Sequence, residues 1–160
     1  MSEALEKAPE NNKPSSPAQK SAARMAAVQA LYTIDYTGNA SGSTVQDFLQ
    51  RKMPVDVDAP VPEDFDAELF RSIVDGTLAR QKDIDDMVSG GLDPKWPMDR
   101  LEKIIKSILR AGVGELLTHA QTDTAIIIND YVNVAHGFFA GKEPALVNAV
   151  LDKVSKSLRS

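Results

Sequence analysis

Residues 101–116 read LEKIIKSILRAGVGEL, and their apolar side chains recur at the spacing of an α-helix. The apolar positions that line the predicted helix are Leu101, Ile104, Ile105, Ile108, Leu109 and Leu116. Asp99-x-x-Glu102, just before them, has the form of a capping box. Gly112 and Gly114 inside such a helix cost about 1 kcal/mol each relative to Ala. We therefore expect another backbone to approach closely at these glycines.

The same periodicity predicts helices on both sides of this segment. A first helix runs from Gln19 to about Tyr36, and a long helix starts at Pro62, passes Val88 and stops at Ser89-Gly90-Gly91. A short helix capped at Thr44 and a loop from Pro54 to Pro62 separate these two.

Two more helices are predicted towards the carboxyl terminus. Residues 125–128 are rich in β-branched side chains, but no second strand is available and the helical period continues to Ala135. Pro144 suits the start of the last helix. The count is six or seven helices without a sheet, so the sequence predicts an all-α fold.

The amino-terminal residues 1–18 are rich in Pro, Ser, Asn, Glu and Lys, and we expect a disordered tail there. Residues 19–160 then form one helical domain, which is long enough to close a hydrophobic core. No apolar run reaches the roughly 18 residues of a membrane span, so we expect a soluble, cytoplasmic protein with no membrane contact.

The net charge of −5 argues against bulk nucleic-acid binding but leaves a local basic patch open. The charge is uneven, because residues 43–99 carry a net −7 while residues 1–24 and 100–160 carry +1 and +2. Any polyanion is therefore expected at the two ends of the chain, although the acidic middle is equally compatible with a merely solvated face.

Residues suited to catalysis are scarce. The chain has no Cys, and its two histidines, His119 and His136, lack acidic neighbours at metal-ligand spacing. No Gly-rich phosphate loop is present, and Asp85-Asp86 lies among other charges. We expect a non-enzymatic binding protein without a metal or cofactor.

The first predicted helix offers a candidate RNA surface. Lys20 and Arg24 can neutralise phosphates, Tyr32 can stack on an unpaired base, and Gln29 near the edge of this strip can offer amide hydrogen bonds. The alternative is that Tyr32 belongs to the core and the two cations are ordinary surface charges.

Three segments resemble the NusB transcription antitermination family. Residues 26–32 (AAVQALY) are similar to its first-helix signature, and residues 108–116 (ILRAGVGEL) resemble its mid-chain segment. Residues 129–132 (NDYV) with Phe138, followed by residues 147–153 (VNAVLDK), resemble its carboxy-terminal block. The resemblance extends from about residue 20 to residue 154 in the right order.

This resemblance implies about seven helices in two subdomains. It implies partnership with the ribosomal protein NusE, joint binding of single-stranded boxA RNA, and read-through by RNA polymerase in an elongation complex with other Nus factors, notably on ribosomal RNA operons. The implied RNA surface combines the first helix, Tyr32 and the start of the last helix, where Lys142 and Asn148 lie. Asn148 is equally compatible with bracing that helix. Some family members form homodimers, and the sequence leaves this open.

Two departures from the family pattern bear on RNA binding. The arginine run of many members is reduced here to Lys20 and Arg24, and a common Lys-Phe pair is replaced by Ala145-Leu146, with Lys142 as a partial substitute. We therefore predict weak RNA binding without NusE. The alternative function is a helical scaffold that makes only protein–protein contacts.

Overall fold

The computed structural model describes residues 14–38 and 65–159 together with Gln46. These ranges contain six α-helices and one short 3₁₀ helix, Met98–Arg100. The α-helices are α1 (Pro17–Thr37), α2 (Ala67–Ala79), α3 (Gln81–Gly91), α4 (Lys103–Thr118), α5 (Thr124–Phe138) and α6 (Glu143–Leu158). The described ranges hold no strand, which confirms the all-α prediction.

Helix α4 lies at the centre of the fold and packs against each of the other five α-helices. All its residues from Ser107 to Leu116 are buried except Arg110, which is half-buried. A helix buried on every side forms the middle of a core rather than its surface. Residues 101–116 thus hold the bundle together. The implied division into two subdomains stays a prediction.

Helix α1 begins two residues earlier than its pattern predicts. Ser16 Oγ accepts a hydrogen bond from the backbone N–H of Gln19 at 3.1 Å, and Gln19 Oε1 accepts one from the N–H of Ser16 at 2.9 Å. This reciprocal capping box satisfies two of the free donors at a helix start. Residues 17 and 18, predicted for the tail, are therefore helical, while residues 1–13 lie outside the described residues.

The long helix predicted from Pro62 to Val88 is wrong in two respects. Its described part begins at Ala67, where the Asp66 carboxylate caps the N–H of Leu69 at 2.9 Å. It also breaks at Arg80, whose φ of −123° and ψ of 26° are not helical. No Gly or Pro marks the break. It lets α2 pack on α1 and α4 while α3 packs on α4 and α6.

The start of α4 also differs from its prediction. Asp99 lies in the 3₁₀ helix instead of capping α4, and Glu102 is the residue at the helix start, without a side-chain cap. The short helix predicted at Thr44 and the loop from Pro54 to Pro62 fall outside the described residues, except for the helical Gln46. None of the helices in the described ranges is long and apolar enough to cross a bilayer.

The two glycines of α4 do face close neighbours, but these are side chains rather than backbone. A Cβ at Gly112 would lie 2.9 Å from both Cδ atoms of Leu151 on α6. A Cβ at Gly114 would collide with the hydroxyl of Thr77 on α2. The absent side chains therefore allow α2 and α6 to approach α4 from different directions.

The carboxy-terminal predictions are confirmed. Residues 125–128 lie inside α5, and Pro144 occupies the first turn of α6. Beyond α6, the guanidinium of Arg159 donates to the carbonyl oxygens of Leu116, His119 and Thr122 at 2.9, 2.8 and 2.6 Å. This side chain satisfies carbonyls that the end of α4 and the following loop leave without helical partners.

Candidate RNA interface

A buried polar cluster joins α1 to the centre of the bundle. The side chain of Arg24 is 2% exposed and that of Glu115 is 0% exposed. Arg24 Nε donates to Glu115 Oε1 at 2.9 Å, and its Nη2 donates to Oε2 at 2.6 Å. The hydroxyl of Tyr131 donates to the same Oε1 at 2.8 Å. Both carboxylate oxygens are therefore satisfied in the interior.

A second carboxylate completes the cluster at its edge. Arg24 Nη1 donates to Asp130 Oδ2 at 2.6 Å, and Ser21 Oγ donates to the same oxygen at 2.9 Å. The cluster thus connects α1, α4 and α5 through charge-assisted hydrogen bonds, which are the stronger class. It fixes the rotation of α1 about its own axis, and with it the side chains that α1 presents to solvent.

Burial and charge shift two pKa values in this cluster. Desolvation alone lowers the pKa of the Arg24 guanidinium, but the hydrogen bonds and charge of Glu115, together with Tyr131 and Asp130, more than reverse this and raise it above its ordinary value. Desolvation raises the pKa of Tyr131 well above its ordinary value, and the Glu115 charge adds to the effect. The arginine stays charged and the tyrosine stays neutral at physiological pH.

Two of the side chains predicted to bind RNA lie inside the protein. Arg24 was expected to contact phosphate, but its guanidinium is inside the protein and engaged by two carboxylates. Gln29 was expected to offer amide hydrogen bonds to RNA, but its side chain is fully buried. Both face inward because the middle of α1 is enclosed by α2, α4 and α5. Neither side chain is presented to a ligand in this structure.

Two other predicted residues of α1 remain accessible. Lys20 is exposed near the start of the helix, and Tyr32 is half-buried towards its end. Twelve residues separate them, or about 18 Å along the axis, so they do not form one compact strip. Helix α1 carries two cations, Lys20 and Arg24, and only Lys20 reaches solvent because Arg24 is buried.

Tyr32 has an aromatic neighbour that the sequence analysis missed. Tyr36, one turn later, stacks on it with ring centroids 5.7 Å apart and planes 13° apart. Tyr36 is 55% exposed. We refer to Tyr32 and Tyr36 as the tyrosine pair. Such a pair offers a flat π-surface at the carboxyl end of α1. The spacing of four residues between the two tyrosines was the sequence signal for the pair, because side chains at i and i+4 are neighbours on a helix.

Two cations of α4 face the carboxylate of Asp35 near the end of α1. Near the start of α1, Arg24 pairs with Glu115 near the end of α4. Near the end of α1, Asp35 Oδ2 lies 3.8 Å from Lys103 Nζ and Asp35 Oδ1 lies 3.7 Å from Arg110 Nη1. Helices α1 and α4 therefore run antiparallel. The guanidinium of Arg110 also forms two hydrogen bonds to Asp85 on α3, at 2.7 and 3.0 Å. The end of α1 that carries the tyrosine pair therefore lies beside the start of α4.

A pocket of about 390 Å³ opens where the starts of α4 and α6 meet. Its floor is apolar, and four charged side chains and one tryptophan complete its lining: Trp96, Arg100, Leu101, Glu102, Ile105, Lys142, Glu143 and Leu146. Lys142 is thus exposed at the start of the last helix, as expected for the RNA surface, but beside a tryptophan that the sequence analysis did not single out. We call this the α4/α6 pocket.

Asn148 does not line the α4/α6 pocket. It is exposed on α6, two residues after Leu146 of that pocket, and no hydrogen bond ties its side chain to another described residue. The bracing role that the sequence left open is therefore not visible at this side chain. A role in RNA binding stays a prediction.

The described residues contain no group of three His, Asp or Glu side chains that could hold a metal ion. His119 is instead tied to neighbouring hydroxyls. Its Nε2 lies 2.7 Å from Ser72 Oγ, and its Nδ1 lies 2.9 Å from Thr118 Oγ1. These contacts connect the end of α4 to α2, so the ring of His119 takes part in the packing of the two helices.

Residues 21–156 match the sequence model of the NusB family. The transcription antitermination protein NusB of Rhizobium rhizogenes is 38% identical over 94% of this chain and 94% of its own length. The protein of the same name from Allorhizobium ampelinum is 40% identical over 94% of this chain and 95% of its own length.

Solved structures agree with this match. T. maritima NusB aligns with a TM-score of 0.73 over 92% of this chain and 96% of that chain, at 19% identity, which supports the fold. A chain of a crystal structure of the antitermination factors NusB and NusE with double-stranded RNA aligns with a TM-score of 0.70, at 25% identity, over 86% of this chain and 96% of that chain. The chain belongs to the NusB family.

Proposed function

We propose that this protein is a transcription antitermination factor that binds boxA-type single-stranded RNA together with NusE. In this role it promotes read-through by RNA polymerase in an elongation complex with other Nus factors, notably on ribosomal RNA operons. The observation that carries the proposal is the match, over 94% of both chains, to a relative named as a transcription antitermination protein.

A solved complex supports the two partners. The aligned crystal structure contains NusB and NusE in complex with double-stranded RNA, and its aligned chain is 25% identical to this one. A protein with the same fold therefore assembles with both partner classes. Transfer of these partners to this chain is part of the proposal.

The surface geometry supports RNA as a ligand. The tyrosine pair provides a π-face for an unpaired base, and Lys20 and Lys142 are exposed cations on the first and last helices. Base–aromatic stacking and phosphate neutralisation are the two interactions that single-stranded RNA binding combines. The surface therefore offers a group for each of these interactions, although the net charge of the chain is −5.

The buried Arg24 supports the view that NusE is needed. Of the two first-helix cations, only Lys20 is free to contact phosphate, so this chain has less electrostatic attraction for RNA than its sequence suggests. Fewer phosphate contacts mean a weaker, less salt-dependent complex. We expect NusE to supply the remaining contacts.

The test is RNA binding by fluorescence anisotropy, with labelled boxA-like single-stranded RNA and with or without purified NusE. Binding that appears or tightens when NusE is added is the expected result. A salt series then counts the phosphates, since log K falls with log salt at a slope of about −0.7 for each one neutralised. Tight binding at physiological salt without NusE would contradict the need for the partner.

Matched lysine variants locate the surface. Lys20→Ala is expected to reduce both the affinity and the salt slope. Lys156→Ala is the control, because Lys156 is 76% exposed at the far end of α6 and pairs only with Asp152 within the described residues. No RNA binding even with NusE present would contradict the RNA function and favour the scaffold alternative.

A further inference from the structure

We propose that a small pocket beside Asp35 binds the carboxamide side chain, Gln or Asn, of a protein partner. The pocket has a volume of about 220 Å³ and is lined by residues of four helices: Leu31, Ile34 and Asp35 of α1, Leu78 of α2, Gln81 of α3 and Arg110 of α4. We call it the Asp35 pocket. The inference goes beyond the proposed function, because this site includes neither the tyrosine pair nor any residue of the α4/α6 pocket.

Two polar groups of the Asp35 pocket make only long contacts with their neighbours. The carboxylate of Asp35 lies 3.7 Å from Arg110 Nη1 and 3.8 Å from Lys103 Nζ, and both distances are too long for hydrogen bonds. Arg110 donates to Asp85 through Nε and Nη2, so its Nη1 has no hydrogen bond to any residue that the structure describes. One donor group and one acceptor group are therefore available to a ligand.

The environment of these two groups makes the observation significant. The side chain of Arg110 is 12% exposed and that of Asp35 is 30% exposed, so both are largely removed from water. Polar groups in such positions normally have hydrogen-bond partners. A ligand that both donates and accepts would supply the missing partners.

The hydrogen-bonding pattern fits a carboxamide. Such a group accepts through its oxygen and donates through its NH₂. Its oxygen can accept from Arg110 Nη1 while one N–H donates to Asp35 Oδ1, because these two atoms are close enough for one planar group to bridge them. The side-chain amide of Gln81 offers a further acceptor for the second N–H.

The charges around the pocket favour a neutral ligand. Two carboxylates, of Asp35 and Asp85, lie beside two cations, Arg110 and Lys103, and their charges balance. A ligand carboxylate would meet Asp35 and a ligand ammonium would meet Arg110, and like charges placed side by side are unfavourable. A carboxamide contacts both groups without this repulsion.

The lining favours a protein side chain over a nucleotide. Leu31, Ile34 and Leu78 form an apolar wall that suits the methylene groups of Gln or Asn. No aromatic ring stands among the described lining residues, whereas RNA-binding sites commonly stack unpaired bases on such rings. The volume is also smaller than the roughly 300–1,000 Å³ of small-molecule pockets. A single side chain matches this size.

Nuclear magnetic resonance of methyl-labelled protein tests the site directly. Butyramide, which joins a short apolar chain to a carboxamide, is titrated while the methyl signals of Leu31, Ile34 and Leu78 are followed. We expect these signals to shift and saturate at millimolar butyramide, while the methyl signals of Ile126, exposed on α5, stay in place. Butyrate has the same shape with a charged head and should cause no saturating shift. Equal responses to the two compounds, or no response to butyramide, would overturn the proposal.

An Asp35 variant tests the assigned contacts. Asp35→Ala should weaken butyramide binding by at least about tenfold, because a hydrogen bond to a charged group is lost. The same variant should bind butyrate better, because Arg110 and Lys103 then lack their shared carboxylate. The matched control is Asp83→Ala, since Asp83 is 58% exposed, pairs with Arg80 and does not line the pocket. An unchanged preference for butyramide in Asp35→Ala would contradict the assignment.

Two peptides test whether the site accepts a side chain within a polypeptide. Acetyl-Ala-Ala-Gln-Ala-Ala-amide should displace butyramide, whereas the same peptide with Glu in place of Gln should not. Equal displacement by both peptides would show that the backbone rather than the carboxamide is bound. Displacement by boxA-like RNA would overturn the choice of a protein ligand, because a base would then occupy the site. These measurements require neither NusE nor RNA binding, so their outcome is independent of the proposed function.

Discussion

The guanidinium of Arg24 and the carboxylate of Glu115 form a two-point hydrogen-bonded ion pair in the interior, 2.9 Å from Nε to Oε1 and 2.6 Å from Nη2 to Oε2. The pair joins α1 to α4, and Tyr131 and Asp130 satisfy the remaining polar atoms. An arrangement of this kind holds one helix in one orientation, because few other rotations of α1 satisfy both charges.

Arg24→Ala should therefore destabilise the fold. Removing one partner of a buried pair leaves the other charge uncompensated and costs about 3–5 kcal/mol of unfolding free energy. The loss of unfolding free energy should be smaller for Arg24→Lys, because an ammonium keeps the charge but not the planar two-point geometry. Urea denaturation measures both. Lys20→Ala is the control, expected within about 0.5 kcal/mol of the unmodified protein. Unchanged stability of Arg24→Ala would contradict the structural role.

Tyr131→Phe should lower the free energy of unfolding at neutral pH, and it should lower it less at alkaline pH. Loss of the hydrogen bond to the charged Glu115 costs about 1.5–3 kcal/mol. Because the pKa of Tyr131 is raised in the folded state, the unfolded chain ionises first. The stabilisation is thus complete below about pH 10 and declines above it, by up to about 1.4 kcal/mol per pH unit.

The measurement is the difference in unfolding free energy between the unmodified protein and Tyr131→Phe, from urea denaturation at pH 8, 10 and 11. Contributions of all other groups are common to both proteins and cancel. The difference should narrow above pH 10. A difference that stays constant across this range would mean that the hydroxyl has no raised pKa.

Helical periodicity predicted the helices well, because each one buries an apolar stripe that the sequence displays directly. The break at Arg80 was not predictable in this way. No Gly or Pro marks it, and it follows from the different neighbours of α2 and α3. The capping box predicted at Asp99 is absent, because Asp99 belongs to a 3₁₀ turn that competes with the helix for the same residues.

The candidate site was less predictable than the fold. Arg24 was placed on the surface because cations usually lie there, although Ala22, Ala23, Ala26 and Ala27 around it are all buried. A cation among small apolar residues and a lone Glu115 in an apolar helix were the available signals for a buried pair. The α4/α6 pocket depends on how three chain segments meet, which no local pattern contains.

Gly114→Ala should destabilise the bundle although Ala is the better helix former. Its Cβ would meet the hydroxyl of Thr77, whose branched side chain is stiff, and such overpacking costs about 1–3 kcal/mol. Gly90→Ala is the matched control, because a Cβ at Gly90 meets nothing within 4 Å. It should stabilise by up to about 1 kcal/mol.

A double variant separates the clash from other effects of Gly114→Ala. The Thr77 hydroxyl forms no hydrogen bond within the described residues, so Thr77→Ala removes the obstacle without leaving a polar partner unpaired. Gly114→Ala should cost less in the Thr77→Ala background than in the unmodified protein, as measured by thermal denaturation. Equal costs in the two backgrounds would show that the hydroxyl is not the obstacle.

Tyr36→Ala should weaken RNA binding without unfolding the protein. Tyr36 is 55% exposed and contributes the outer ring of the tyrosine pair, so its loss removes a stacking face but little buried area. If a base stacks there, the affinity of the complex with NusE should fall by about 5- to 150-fold in fluorescence anisotropy. Tyr36→Phe keeps the ring and should retain binding, which separates stacking from hydrogen bonding by the hydroxyl. Unchanged RNA affinity for Tyr36→Ala would exclude the outer ring of the tyrosine pair from the RNA interface.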